Sequence, residues 1–202
     1  MTDSQAEGTP SLFPDHLVFS GTPRELHYFA YGSNMNKAQI LSRCTRPVVI
    51  ATAKLPEYCI GFYGYSKTWD GGVETLVEAP GQELWGVIYA LNFSDGDSLD
   101  AWQDVRQDGT GAYFHYPVLV TDPEGNRHTV LLYKKDCLGP PRKPSQEYRD
   151  VIVQGAEEQG LPAWYIETLR RIEAKKAGFA VPLRASSGRK IFLTGCSECE
   201  GG

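Results

Sequence analysis

Tyr28-Phe29-Ala30-Tyr31-Gly32-Ser33-Asn34-Met35 is an apolar run that halts at a Gly-Ser-Asn break and gives way to helical spacing. His27-Tyr28-Phe29-Ala30 reads as a buried strand. From Met35 to Cys44 the apolar residues Met35, Ala38, Ile40, Leu41 and Cys44 recur at helical intervals. Ser33 or Asn34 suits the N-cap of that helix. A strand that enters a helix through such a turn gathers backbone N–H groups at the helix start, where an anion or a developing oxyanion is favoured. Gly32 lets a second group approach the backbone closely. Strand–Gly–Ser–helix turns are common without any such role, so this stretch alone places a candidate site and does not name its chemistry.

Working outward, segments 48–62, 73–79 and 83–92 are rich in Val, Ile, Leu, Tyr and Phe, with Gly-containing breaks between them, and read as strands. Residues 94–102 form a short helix candidate capped by Ser94. Residues 113–121 and 128–134 read as two strands joined by Asp122-Pro123-Glu124-Gly125-Asn126, a strong turn signal. After the Pro-rich connector 139–144, two helices are predicted over 145–158 and 162–173, with Ser145 as a cap and a break at Gly160-Leu161-Pro162. The pattern is α+β, with largely antiparallel strands and helices late in the chain. Three stretches are expected: a loose arm over 1–24, one domain over 25–177, and a C-terminal extension over 178–202.

The chain has 202 residues, 41% hydrophobic and 22% charged, which suits one globular domain with a substantial core. Its formal net charge of −5 and its lack of a basic cluster argue against a nucleic-acid partner. No apolar run is long enough to span a bilayer, so no membrane partner is expected. The polar first residues lack the apolar stretch of a signal peptide, which makes a cytoplasmic location the default expectation. Cys44, Cys59 and Cys137 are scattered and read as buried thiols. Cys196 and Cys199 form a single C-x-x-C in a polar tail, which lacks the second ligand pair of a zinc site. His27 and His115 read as structural histidines.

The order of motifs resembles that of the γ-glutamylcyclotransferases. The resemblance rests on Tyr28 to Met35, Trp69-Asp70-Gly71-Gly72-Val73, Ala79 to Tyr89, Ser98-Leu99-Asp100 with Val105, Pro144 to Tyr148, and Gly155-Ala156 through Gly160-Leu161-Pro162. It implies a single domain with a small mixed β-barrel-like sheet surrounded by helices. It also implies release of 5-oxoproline from a γ-glutamyl amide, with no metal or organic cofactor required. On this resemblance Tyr28, Phe29, Ala30, Tyr31, Gly32, Ser33 and Asn34 are the substrate-binding stretch, and Tyr148 sits against the substrate. The position of the catalytic glutamate falls on Gln103.

That position is a departure, because an amide cannot take a proton from the substrate amine. Three explanations stand open: Gln103 is an engineered replacement of Glu, the protein binds γ-glutamyl compounds without turnover, or a neighbouring acid serves. The acids considered are Asp104, next in the chain, and Glu74, on the strand after Gly71-Gly72. Hydrolysis of the amide to glutamate is a further alternative to cyclisation. Tyr63, Tyr65, Trp69 and Trp102 are candidate pocket walls. The partner expected is a small γ-glutamyl substrate, and a homodimer is compatible with the sequence.

Overall fold

The computed structural model describes residues 25–106 and 108–182. Five strands close into a barrel in the order β1-β3-β2-β4-β5. They are β1 (Leu26–Ala30), β2 (Val48–Ser66), β3 (Gly71–Leu91), β4 (Tyr113–Thr121) and β5 (Arg127–Lys135). Helices α1 (Lys37–Leu41), α2 (Phe93–Gln103), α3 (Gln146–Glu158) and α4 (Ala163–Arg170) complete the domain. The α+β barrel is the architecture that the resemblance implies. The expected arm over 1–24 lies outside the described residues, as do 183–202 with Cys196 and Cys199.

β2 and β3 form one long antiparallel hairpin, running from Val48↔Ala90 to Ser66↔Gly71. The break expected between 79 and 83 is absent: β3 passes straight through Pro80-Gly81-Gln82. Residues 79–82 have no partners in the register, so the chain bends there between two paired stretches of one strand. Gly81 and Glu57 both take positive φ, 78° and 66°, beside a register shift between Pro56 and Tyr58. The Glu57 carboxylate also accepts the Gly81 N–H at 3.0 Å. A bulge of this kind twists a strand and re-aims its far half.

β1 lies along the other edge of β3, from Leu26↔Leu91 to Ala30↔Val87. The barrel closes where β1 meets β5 in parallel at Tyr28↔Leu131. β4 and β5 pair along their whole length, and their turn is held by Asp122, which accepts the Asn126 N–H at 2.7 Å and faces His128 Nε2 at 2.8 Å.

The helix after the Gly-Ser-Asn break is shorter than the periodicity predicts. Ser33–Met35 is a separate 3₁₀ turn, closed by Met35 N–H to the Gly32 carbonyl at 3.0 Å. Neither Ser33 nor Asn34 caps α1. The cap is Asn36, whose side chain accepts the Gln39 N–H at 3.1 Å. In α2 the cap is likewise Asn92 rather than Ser94, whereas Ser145 caps α3 as expected.

α3 presses directly on the 3₁₀ turn, and Gly155 makes the contact possible. A Cβ there would meet the Met35 carbonyl carbon at 2.7 Å. In an open helix interior, Gly→Ala gains up to about 1 kcal/mol of propensity. Here the sign reverses, because overpacking costs about 1–3 kcal/mol. Gly155→Ala is expected to lower the thermal midpoint, and differential scanning calorimetry against the parent chain checks it.

Candidate active site

The far half of the β2–β3 hairpin, the end of α2, the start of β4, the end of β5 and α3 surround a cavity of about 440 Å³. From the binding stretch and catalytic position read in the sequence, Ser33, Tyr148 and Gln103 line it. Trp69, Trp102 and Tyr65, named as candidate walls, line it as well. Tyr63, the fourth, is not part of the lining.

The other residues of the stretch stand behind the cavity. Alternation along β1 sends successive side chains to opposite faces. Phe29 packs over Gly86. The Tyr28 hydroxyl accepts a hydrogen bond from Asn34 Nδ2 at 2.8 Å. The Tyr31 hydroxyl donates to the Tyr133 carbonyl at 2.6 Å. Tyr28, Tyr31 and Asn34 are all buried and fix the path of the turn from beneath it.

Glu74 is the carboxylate at the base of the cavity. It projects from β3 opposite Phe62, is 8% exposed, and lies against the Gly32 backbone. A Cβ on Gly32 would overlap the Glu74 carboxyl group, so glycine at 32 is a steric requirement of Glu74. The Tyr148 hydroxyl donates to Glu74 Oε2, and the Ser33 N–H is turned toward the same group. Tyr113 donates its hydroxyl to the Glu74 carbonyl at 2.8 Å, which holds the strand beneath the side chain. Burial pushes the Glu74 pKa above the ordinary carboxylate value, against the lowering effects of Tyr148, the backbone and Arg43. Burial likewise holds the Tyr148 phenol well above its usual range, so it stays a proton donor in the hydrogen bond.

Gln103 is the last residue of α2 and faces the cavity from its wall. Asp104 follows in a left-handed conformation, with φ 51°, and its carboxylate turns out to pair with Arg106 at 2.9 Å. The wall is anchored by Asp100, which accepts the Tyr133 hydroxyl at 2.7 Å and lies 2.7 Å from His115 Nε2. Trp69 stacks on Tyr148 with ring centroids 4.4 Å apart. Tyr65 is steadied by its hydrogen bond to Asp70 at 2.7 Å. Among the lining residues without a sequence signal are Tyr113, read only as the start of a strand, and Lys135, whose ammonium sits 5.0 Å from the Tyr113 ring centroid. They reach the cavity because barrel closure brings the β4 and β5 ends to β3.

Residues 83–169 match the AIG2-like family. A γ-glutamylcyclotransferase of Bos taurus is 37% identical over 150 residues, covering 72% of this chain and 78% of the relative. The chain belongs to the γ-glutamylcyclotransferase family. The human γ-glutamylcyclotransferase is 35% identical over the same shares of the two chains. A solved γ-glutamyl cyclotransferase structure superposes with a TM-score of 0.72 at 34% identity, covering 78% of this chain and 93% of that one. The chain is an enzyme of the γ-glutamylcyclotransferase type. No helix among the described residues is long and apolar enough to cross a membrane.

The buried carboxyl has a consequence for stability. Because its folded pKa lies above the unfolded value, the folded state holds the proton longer. Stability is therefore fully present below the unfolded pKa and falls as pH rises through the folded one. Glu74→Gln, a neutral near-isostere, escapes that loss. The thermal midpoint of the variant is expected to gain on the parent as pH is raised from about 4.5, near the free glutamate value, toward neutrality. Parallel melts across that range measure the gap.

Proposed function

We propose that this cavity releases 5-oxoproline and a free amine from a γ-glutamyl amide, with Glu74 as the proton-transfer group. The observation that carries the reading is the Glu74 carboxyl, buried under the Gly32–Ser33 backbone and hydrogen-bonded by Tyr148, in a cavity whose α2 wall offers the Gln103 amide.

The chemistry needs little from the protein beyond position and a base. The substrate's own α-amino nitrogen attacks its γ-carbonyl carbon, and effective molarity favours the ring closure. That amine is protonated at neutral pH and inert until a base removes its proton. Glu74 takes the proton, the new N–C bond forms, and the tetrahedral oxygen carries negative charge. As that intermediate collapses, the amide C–N bond breaks and the proton passes to the leaving nitrogen. Gln103, which cannot exchange the proton, is suited to hydrogen-bond the substrate from the wall. The raised pKa of Glu74 supports the assignment, since a base is most effective when its pKa approaches the working pH.

Parent, Glu74→Gln, Gln103→Ala and Gln103→Glu proteins are incubated with γ-glutamyl-alanine and a panel of γ-glutamyl amines, and 5-oxoproline and glutamate are read by mass spectrometry. The parent is expected to form 5-oxoproline. Glu74→Gln is expected to lose about 10²–10⁴-fold in kcat, and Gln103→Ala to lose far less. In the parent, kcat/KM falls on the acid side as Glu74 gains its proton, at a pH above the ordinary carboxylate range. Turnover by Gln103→Glu alone would return the catalytic role to position 103 and overturn the Glu74 assignment. Glutamate as the product would establish hydrolysis instead.

A further inference from the structure

We propose that Arg43 is a positioning residue for this site: it clamps the Ser33–Asn34 turn to the Trp102 wall and supplies the fixed positive charge toward which the Glu74 carboxylate is held. The inference rests on the assignment of Glu74 as the proton-transfer group.

Arg43 follows α1 and folds back beneath the turn. Its Nη1 donates to Asn34 Oδ1, and also to Ser33 Oγ at 3.4 Å. Nη2 donates to Gln39 Oε1 at 2.9 Å. The guanidinium carbon lies 4.2 Å from the centre of the Trp102 ring. One side chain thus touches both the turn that meets Glu74 and the residue next to Gln103. Planar stacking and forked donation together are a guanidinium's property, and an ammonium reproduces only the charge.

Every hydrogen-bond acceptor on this guanidinium is neutral. Among the described residues no carboxylate lies within salt-bridge distance of it, and Nε is buried with no hydrogen-bond partner. Buried charges are ordinarily paired. The anion available on the cavity side is Glu74, whose ionised form Arg43 favours through space. The other groups around Glu74 are phenols: Tyr28 and Tyr31 from β1, Tyr113 from β4 and Tyr148 from α3. Lys135 of β5 and Asp104 after α2 share the cavity, and the Cys44 thiol, next in the chain, also acts on Arg43. Arg43 is the cation attached to the turn itself, so its charge and the turn's geometry are set together.

Arg43→Gln keeps a donor for the turn and removes the charge, while Arg43→Lys keeps the charge and removes the stacked fork. In protein labelled with ¹³C at glutamate Cδ, the Glu74 resonance is identified by its loss in Glu74→Gln and titrated in each variant. Removing a nearby cation destabilises the carboxylate, so the Glu74 midpoint in Arg43→Gln is expected to rise by about one pH unit. The acid limb of kcat/KM is expected to move with it, a roughly tenfold loss below the midpoint. Arg43→Lys is expected to keep the midpoint near the parent's and to raise KM as the Trp102 wall loosens. If Arg43→Gln does not fold, Asn34→Asp serves, because a carboxylate on Nη1 cancels the charge without removing the arginine, and the same upward shift is expected. An unchanged Glu74 midpoint in the folded variant, with activity lowered equally at every pH, overturns the proposal and leaves Arg43 as packing. Full activity in Glu74→Gln removes the proton-transfer assignment separately, and the resonance still reports whether Arg43 holds the carboxylate.

Discussion

A carboxyl group buried against a backbone turn is the constraint around which this fold is arranged. Leaving such a group uncompensated in a protein interior is costly, and each hydrogen bond to its charged form recovers about 1.5–3 kcal/mol. The Tyr148 hydroxyl meets Glu74 directly, and the Ser33 N–H is turned toward it. Gly32 has no side chain because the carboxyl group fills that space. The bulge at Glu57 and Gly81 bends the β2–β3 hairpin, and the half beyond it carries Glu74. α3 packs close enough to bring Tyr148 into range because Gly155 admits the turn.

Under the proposed assignment, Glu74 supplies the carboxylate that position 103 lacks. Proton transfer requires a carboxylate within reach of the substrate amine, whatever element carries it. A cavity of about 440 Å³ is small enough for groups on opposite sides to address one ligand. Glu74 rises from the floor and Gln103 faces it from the α2 wall. Asp104 also lines the cavity but is not equivalent to Glu74, because its carboxylate pairs with Arg106 and is half exposed.

Much of the fold was legible. The pleat of β1, the Asp122 turn between β4 and β5 and the Ser145 cap all rest on local chemistry that a sequence displays. The cap of α1 is not legible locally, because Asn36 competes with Ser33 and Asn34 and the 3₁₀ turn that decides among them depends on α3 packing against it. The bend at Gly81 looked like a strand end because the compensating distortion lies across the ladder at Glu57. Barrel closure was reachable only by resemblance, since nothing in β1 announces that it will meet β5. The same limit governs the site. The turn could be picked out, and Glu74 could be weighed as an acid, but its position beneath Gly32 depends on long-range register. Tyr113 and Lys135 carried no signal because only closure gives their strand ends a shared cavity.

The parallel contact between β1 and β5 also bears on how the molecule forms. β1 is made early, yet one edge waits for the end of β3 and the other for β5. Local hairpins such as β4–β5 can zip from their turns, whereas β1 must find partners across long stretches of chain, and such loops close slowly. The turn that carries Gly32 and Ser33 is thus attached to a strand both of whose partners are distant in sequence. A nascent chain must therefore extend through Leu91 before β1 has its first partner and through Leu131 before it has its second.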